Sequence, residues 1–97
     1  MPSTYDILKK CRLEILALAD RSGLSNIRVF GSVARGEENE KSDIDLLVNV
    51  EKTDDPLAFL DFQDNISKMF SRKVDIVFES GLYHALRERV LNEAKPV

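Results

Sequence analysis

The apolar positions of this chain recur first at helical spacing and then, in alternation, at strand and helical spacing. Over "STYDILKKCRLEILALADRSG", Leu8, Cys11, Ile15, Leu16 and Ala19 fall three or four apart, which predicts an amphipathic helix. Ser3 or Thr4 can cap its start, and Gly23 stands where a left-handed C-terminal cap belongs. "NIRVF" then reads as a short strand running directly into Gly31-Ser32. "DIDLLVNV" is a second strand. "DDPLAFLDFQDNISKMF" is a second long helix, with Asp55 as N-cap, Pro56 as first helical residue, and Phe59, Phe62, Ile66, Met69 and Phe70 as its buried stripe. "KVDIVF" is a third strand, and "SGLYHALRERVLNEA" a last helix with Leu82, Leu86 and Val90 spaced by four.

This order, α-β-turn-β-α-β-α, predicts a small α+β domain in which the helices cover one face of a three-stranded sheet. The other face stays partly open, and the strand order is left undetermined. With 97 residues the chain fits a single domain, 1–97, with one core. Neither a repeat nor a linker interrupts it.

Composition narrows the classes. Hydrophobic residues make up 43% and charged residues 32%, an ordinary globular balance. The net charge is −3 without a lysine- or arginine-rich run, so direct nucleic-acid binding is not expected. Cys11 is the only cysteine, which excludes an internal disulfide and a cysteine-based zinc cluster. No apolar run approaches the roughly 20 residues that span a bilayer, and "MPSTYDILKK" lacks the apolar core of a signal peptide. No membrane association is expected, and a cytoplasmic setting follows.

Two aspartates break the apolar run of the second strand. Strand geometry puts Asp43 and Asp45 on one face, about 7 Å apart along the backbone, while Ile44, Leu46 and Val48 face the core. In the third strand Val74, Ile76 and Phe78 form the core set, and Asp75 points the other way. If the two strands are neighbours, three carboxylates share a surface. Two carboxylates within ~4 Å repel by about 4 kcal/mol at an effective dielectric near ~20, a large share of the ~5–15 kcal/mol that holds such a domain together. A divalent cation is the simplest reason for the cluster to persist. An oxygen-only donor set favours Mg²⁺ or Mn²⁺ over Zn²⁺, and two such ions could clamp a phosphoryl-transfer centre. An isolated Asp-x-Asp at a strand start is more often a solvated edge. The acids and glycine do not fall at the spacing of an EF-hand loop.

"GSVARG" lies between the first and second strands. A strand ending in Gly31-Ser32 and followed by a helical turn offers backbone N–H groups and the Ser32 hydroxyl to an anion. Arg35 either supports phosphates or pairs with Glu37 or Glu38, and Gly36 supplies a turn conformation. The turn is neither a Walker A loop nor a dinucleotide fingerprint. By itself it reads equally well as a plain turn or as a phosphate cradle.

Taken together, Gly31-Ser32, Asp43-x-Asp45 and Asp75 resemble the nucleotidyltransferase superfamily that includes DNA polymerase beta. "GSVARG", "SDIDLLV", "VDIVF" and the tail "LRERVLNEAKPV" resemble more closely the minimal nucleotidyltransferase (MNT) proteins of prokaryotes, over nearly the whole chain. The resemblance implies an α/β sandwich with a small mixed sheet, the minimal nucleotidyltransferase fold. It implies ATP as substrate on Gly31, Ser32 and Arg35, and Mg²⁺, two ions by the family pattern, held by the catalytic Asp43, Asp45 and Asp75. Asp75 would also help activate the attacking hydroxyl. MNT proteins are antitoxins paired with a helical HEPN ribonuclease toxin, in a type VII-like system in which AMP is added to a toxin tyrosine. The alternative is an antitoxin that binds nucleotide without catalysis and neutralises its toxin by complex formation alone. In either case the short tail Lys95-Pro96-Val97 leaves the family's last edge strand missing or rudimentary.

The remaining candidates read as structural. His84, the lone histidine, is a surface or core-edge residue, and Cys11 a small buried hydrophobe. Arg87 and Arg89 belong to a solvated helix face, and Phe59, Phe62 and Phe70 to the core rather than to a base-stacking platform.

Overall fold

The computed structural model describes residues 3–39, 41–51 and 55–97. Ser3 caps the first helix through a reciprocal pair of bonds with Asp6. That helix comes in two pieces, α1 (Thr4–Lys10) and α2 (Arg12–Arg21), interrupted at Cys11. The interruption is local, because Cys11 N–H still donates to Ile7 O and Ile15 N–H to Cys11 O. Gly23, at φ 70°, takes the left-handed position just past the end of α2.

Four strands, β1 (Leu24–Phe30), β2 (Ile44–Val50), β3 (Val74–Phe78) and β4 (Lys95–Pro96), form one sheet in the order β3-β2-β1-β4. β1 and β2 are antiparallel, with a register shift between Ser25 and Arg28 where Asn26 sits at φ 50°. β3 runs parallel to β2, and β4 pairs antiparallel with β1. The sheet is therefore mixed, and the rudimentary last edge strand is present as a two-residue bridge. It has one consequence for packing: Val97, just beyond it, is buried in the core.

The core lies on one face of the sheet. Leu8, Ile15 and Ala19 of the first helix pair and Phe62 and Ile66 of α4 (Phe59–Phe70) pack with Ile27, Val29, Ile44, Leu46, Val48 and Val74. The aliphatic set of β2 thus faces inward as its period requires. Ile76, Phe78, Phe59 and Phe70 are partly buried against the same cluster. Met69, expected in the α4 stripe, is instead 37% exposed. α4 also starts later than its sequence suggests. Asp55 Oδ1 accepts from Leu57 N–H, and Asp55 O from Ala58 N–H, so Asp55 and Pro56 form a turn ahead of the helix. Asp54, at the predicted helix start, lies outside the described residues.

After β3 a single 3₁₀ turn (Glu79–Gly81) leads to α5 (His84–Glu93). α5 connects the β3 edge to β4 at the opposite edge, so the chain crosses the sheet here. It buries no residue fully. Leu86, expected on its apolar stripe, is 48% exposed, and Leu82 and Val90 are half-buried. Among the described residues no helix is long and apolar enough to cross a membrane.

Candidate active site

The parallel pairing of β2 with β3 decides the site. Its register sets Asp45 directly beside Asp75, as Leu46 sits beside Ile76 in the core. Asp43 stands one residue before β2, a boundary one position later than the sequence pattern gave, and Ile44 N–H donates to Lys73 O to start the ladder there. The three carboxylates share the face opposite the core. Asp43 and Asp75 keep 40% and 41% of their side chains exposed.

That face is not open along its whole length. Leu47 follows Asp45 on it and is fully buried, outside the main cluster. Its neighbours in register are Arg28 on β1 and Val77 on β3. The Arg28 guanidinium is held by Glu79 and Asn49. The carboxylates therefore occupy the accessible end of a face that is closed behind them.

Asp45 is the electrostatically strained member. Burial, then the charges of Asp75 and Asp43, push its carboxyl up to about 6, with Arg35 pulling the other way. Lys73, which sequence reasoning passed over, offers partial compensation. Its Nζ lies 3.7 Å from Asp43 Oδ2 and 3.8 Å from Asp75 Oδ1. At 71% exposure this flexible ammonium is largely screened and gives the pair little net stability. Its position two residues before Asp75 put it on the same strand face, a signal available from the sequence.

The donor set suits a hard divalent cation, with carboxylate oxygens only and negative charge that Lys73 relieves only in part. Among the described residues no three acidic side chains already converge on one point. A cation would therefore require Asp43 or Asp75, both at the surface, to turn inward and release Lys73.

The glycine turn lies against the same carboxylates. α3 (Gly31–Arg35) begins where β1 ends, with Phe30 paired to Asp45. Gly31 sits at φ 73°, and a Cβ there would overlap Asp45 Oδ2. Glycine is thus required twice, by backbone conformation and by the packing of the carboxylate. Gly36, in left-handed conformation, ends α3. Arg35 pairs with Glu37 rather than Glu38, and also with Glu93. Glu38 is used elsewhere: Arg72 Nη1 donates to Glu38 Oε2, and Arg72 Nε and Nη2 both donate to Ser42 O. Thr4 joins the clamp: its N–H donates to Glu38 Oε1, and its hydroxyl oxygen accepts from Arg72 Nη1. Both ends of the spacer between the glycine turn and Asp43 are thereby tied to Arg72, just past α4, and Glu38 is tied to α1 as well. The structure brings Gly31, Asp45 and Asp75 together, with Asp43, Ser32 and Arg35 flanking them on the same short segments.

A family model described as the nucleotidyltransferase domain matches residues 9–97. The chain belongs to the nucleotidyltransferase domain family. Protein adenylyltransferase MntA of Thermococcus cleftensis is 37% identical over 76 residues, covering 78% of this chain and 77% of the relative. A solved structure of a protein named, provisionally, a minimal nucleotidyltransferase superposes with a TM-score of 0.81 at 44% identity, covering 94% of this chain and 93% of the other. A toxin–antitoxin structure with AMP-PNP superposes with a TM-score of 0.70 at 26% identity, covering 87% and 69%. The mixed four-stranded sheet with its helices is thus the minimal nucleotidyltransferase fold, and this nucleotidyltransferase is an enzyme acting on a nucleotide substrate.

Proposed function

We propose that this nucleotidyltransferase is the antitoxin of a type VII-like toxin–antitoxin pair and transfers AMP from ATP to a tyrosine of a helical HEPN toxin. The observation that carries the reading is the register of Asp45 beside Asp75, with Asp43 and the Gly31-Ser32 turn next to them. The similarity to MntA and to a toxin–antitoxin structure holding AMP-PNP supports the protein acceptor and the adenine nucleotide.

In this reading Asp43, Asp45 and Asp75 would hold Mg²⁺, for which Mn²⁺ could substitute, and the bound ion would neutralise phosphate charge and favour deprotonation of the acceptor hydroxyl. Ser32 and Arg35 orient the triphosphate beside the carboxylates, and Gly31 leaves room for the Asp45 carboxylate. The acceptor oxygen forms its bond to the α-phosphorus as the bond to the β-phosphate bridging oxygen breaks, and pyrophosphate leaves. Asp75 helps to take up the hydroxyl proton. Positioning and charge neutralisation do most of the work. The exposure of Asp43 and Asp75 leaves room for a second protein to present the hydroxyl. A cytoplasmic location fits ATP as donor.

The test combines the chain with ATP, Mg²⁺ and the product of the adjacent reading frame, followed by intact-mass measurement of both. AMP-sized increments on the partner are expected with the wild type and not with D43A/D45A. An unmodified partner that is nevertheless tightly bound, and equally neutralised by D43A/D45A, would establish the binding-only antitoxin instead.

A further inference from the structure

Glu93, the last residue of α5, has a role that no local sequence signal discloses. Its side chain is only 15% exposed although it ends a helix with no fully buried residue. Oε1 accepts from Gly31 N–H at 2.5 Å and from Arg35 Nη1 at 2.9 Å, and Oε2 accepts from the same Nη1 at 3.0 Å. One carboxylate from the end of the chain thus engages two of the three residues assigned to the triphosphate.

We infer that Glu93 is a positioning residue, which pins the turn through the Gly31 amide and fixes the Arg35 guanidinium in the orientation that receives the nucleotide's phosphates. The inference rests on the phosphate-site reading of Gly31, Ser32 and Arg35. An arginine on a five-residue helix has many accessible rotamers, and ordering it costs entropy at the moment of binding. Glu93 and Glu37 hold its Nη1 and Nε, so the plane of the guanidinium is set beforehand. The Gly31 amide is satisfied internally, which makes the contribution of Gly31 to the site one of shape, with Ser32 and Arg35 as the donors. β4 begins two residues after Glu93 and pairs with β1, so the chain that follows the carboxylate is anchored to the strand that leads into the turn.

The test is E93Q. Glutamine still offers an oxygen to Gly31 N–H, but its amide faces Arg35 with donors. Binding of AMP-PNP with Mg²⁺ should weaken about fivefold to tenfold, with KM for ATP rising and kcat little changed. Combining E93Q with R35Q should weaken binding no more than R35Q alone, since Glu93 acts through Arg35. E93D, which keeps the charge but is one methylene too short to reach both partners, provides the same readout if E93Q melts below the assay temperature. Unchanged or tighter binding by a folded variant would overturn the inference, as would multiplicative losses in the double variant. If R35Q and S32A both bind AMP-PNP like the wild type, the phosphate-site reading itself fails. If they bind weakly while E93Q and E93D do not, only the role of Glu93 fails.

Discussion

Replacing Asp45 by asparagine should stabilise the metal-free protein while abolishing transfer. Asp45 has its carboxyl raised from 3.8 to about 6, by burial first and then by the charges of Asp75 and Asp43. A folded-state value above the unfolded one means the fold prefers the protonated acid. The ionised group therefore destabilises the fold, fully above about pH 6, and the penalty is relieved as pH falls from 6 towards 4. Taken at face value the shift corresponds to about 3 kcal/mol. Asp45 is only half-buried, and solvent screening reduces this to about 1–2 kcal/mol. For a domain of this size that is a rise in Tm of roughly 5–10 °C for D45N near pH 7.5. Thermal melts of both proteins in chelator-treated buffer, from pH 4.5 to 8, should show the gap widening with pH and nearly closing at the acid end. Millimolar Mg²⁺ should raise the wild-type Tm, because a cation offsets the same repulsion, and affect D45N much less. A D45N protein no more stable than wild type at pH 7.5, or a gap independent of pH, would refute the electrostatic account of this site.

Two further substitutions probe the supports. G31A forces a side chain into a left-handed backbone and against Asp45 Oδ2, so it should cost about 2 kcal/mol or more and eliminate AMP transfer; a G31A enzyme with wild-type turnover would contradict the close packing of turn and carboxylate. R72A removes the clamp on Glu38 and Ser42 and leaves the 14%-exposed Glu38 carboxylate without its cation, a loss of about 2–4 kcal/mol in urea unfolding. Burial alone would raise the Glu38 carboxyl, but the bonds from Thr4 and Arg72 outweigh it and hold it below the usual range. Its stabilisation is therefore present above about pH 4.5 and lost on further acidification. R72A should flatten that acid limb, and an unchanged limb would mean that the clamp is not what holds Glu38.

Much of the site was legible because side-chain alternation in a strand is a property of the chain itself. The placement of Asp43 and Asp45 opposite Ile44, Leu46 and Val48, and of Asp75 opposite Val74, needs only the two-residue period. The caps at Ser3 and Gly23 are likewise local. Element edges were less secure. α4 starts after the Asp55 turn, and the predicted first helix is interrupted at Cys11, since neither propensity nor period specifies where a few hydrogen bonds give way.

The sequence by itself determined which residue types are available and which face of its own strand each one takes. Only the tertiary structure decided which of those faces meet. The β3-β2-β1-β4 order makes β2 and β3 parallel neighbours, and a shift of one residue in their register would turn the face that carries Asp75 towards the core. Burial of Ile44, Leu46 and Val74 on one side forbids that slip, so the hydrophobic core fixes the carboxylates on the other. Glu93 lies beyond any such local rule. It stands 62 residues from Gly31, and only the crossing of α5 to the far edge brings its carboxylate to the turn.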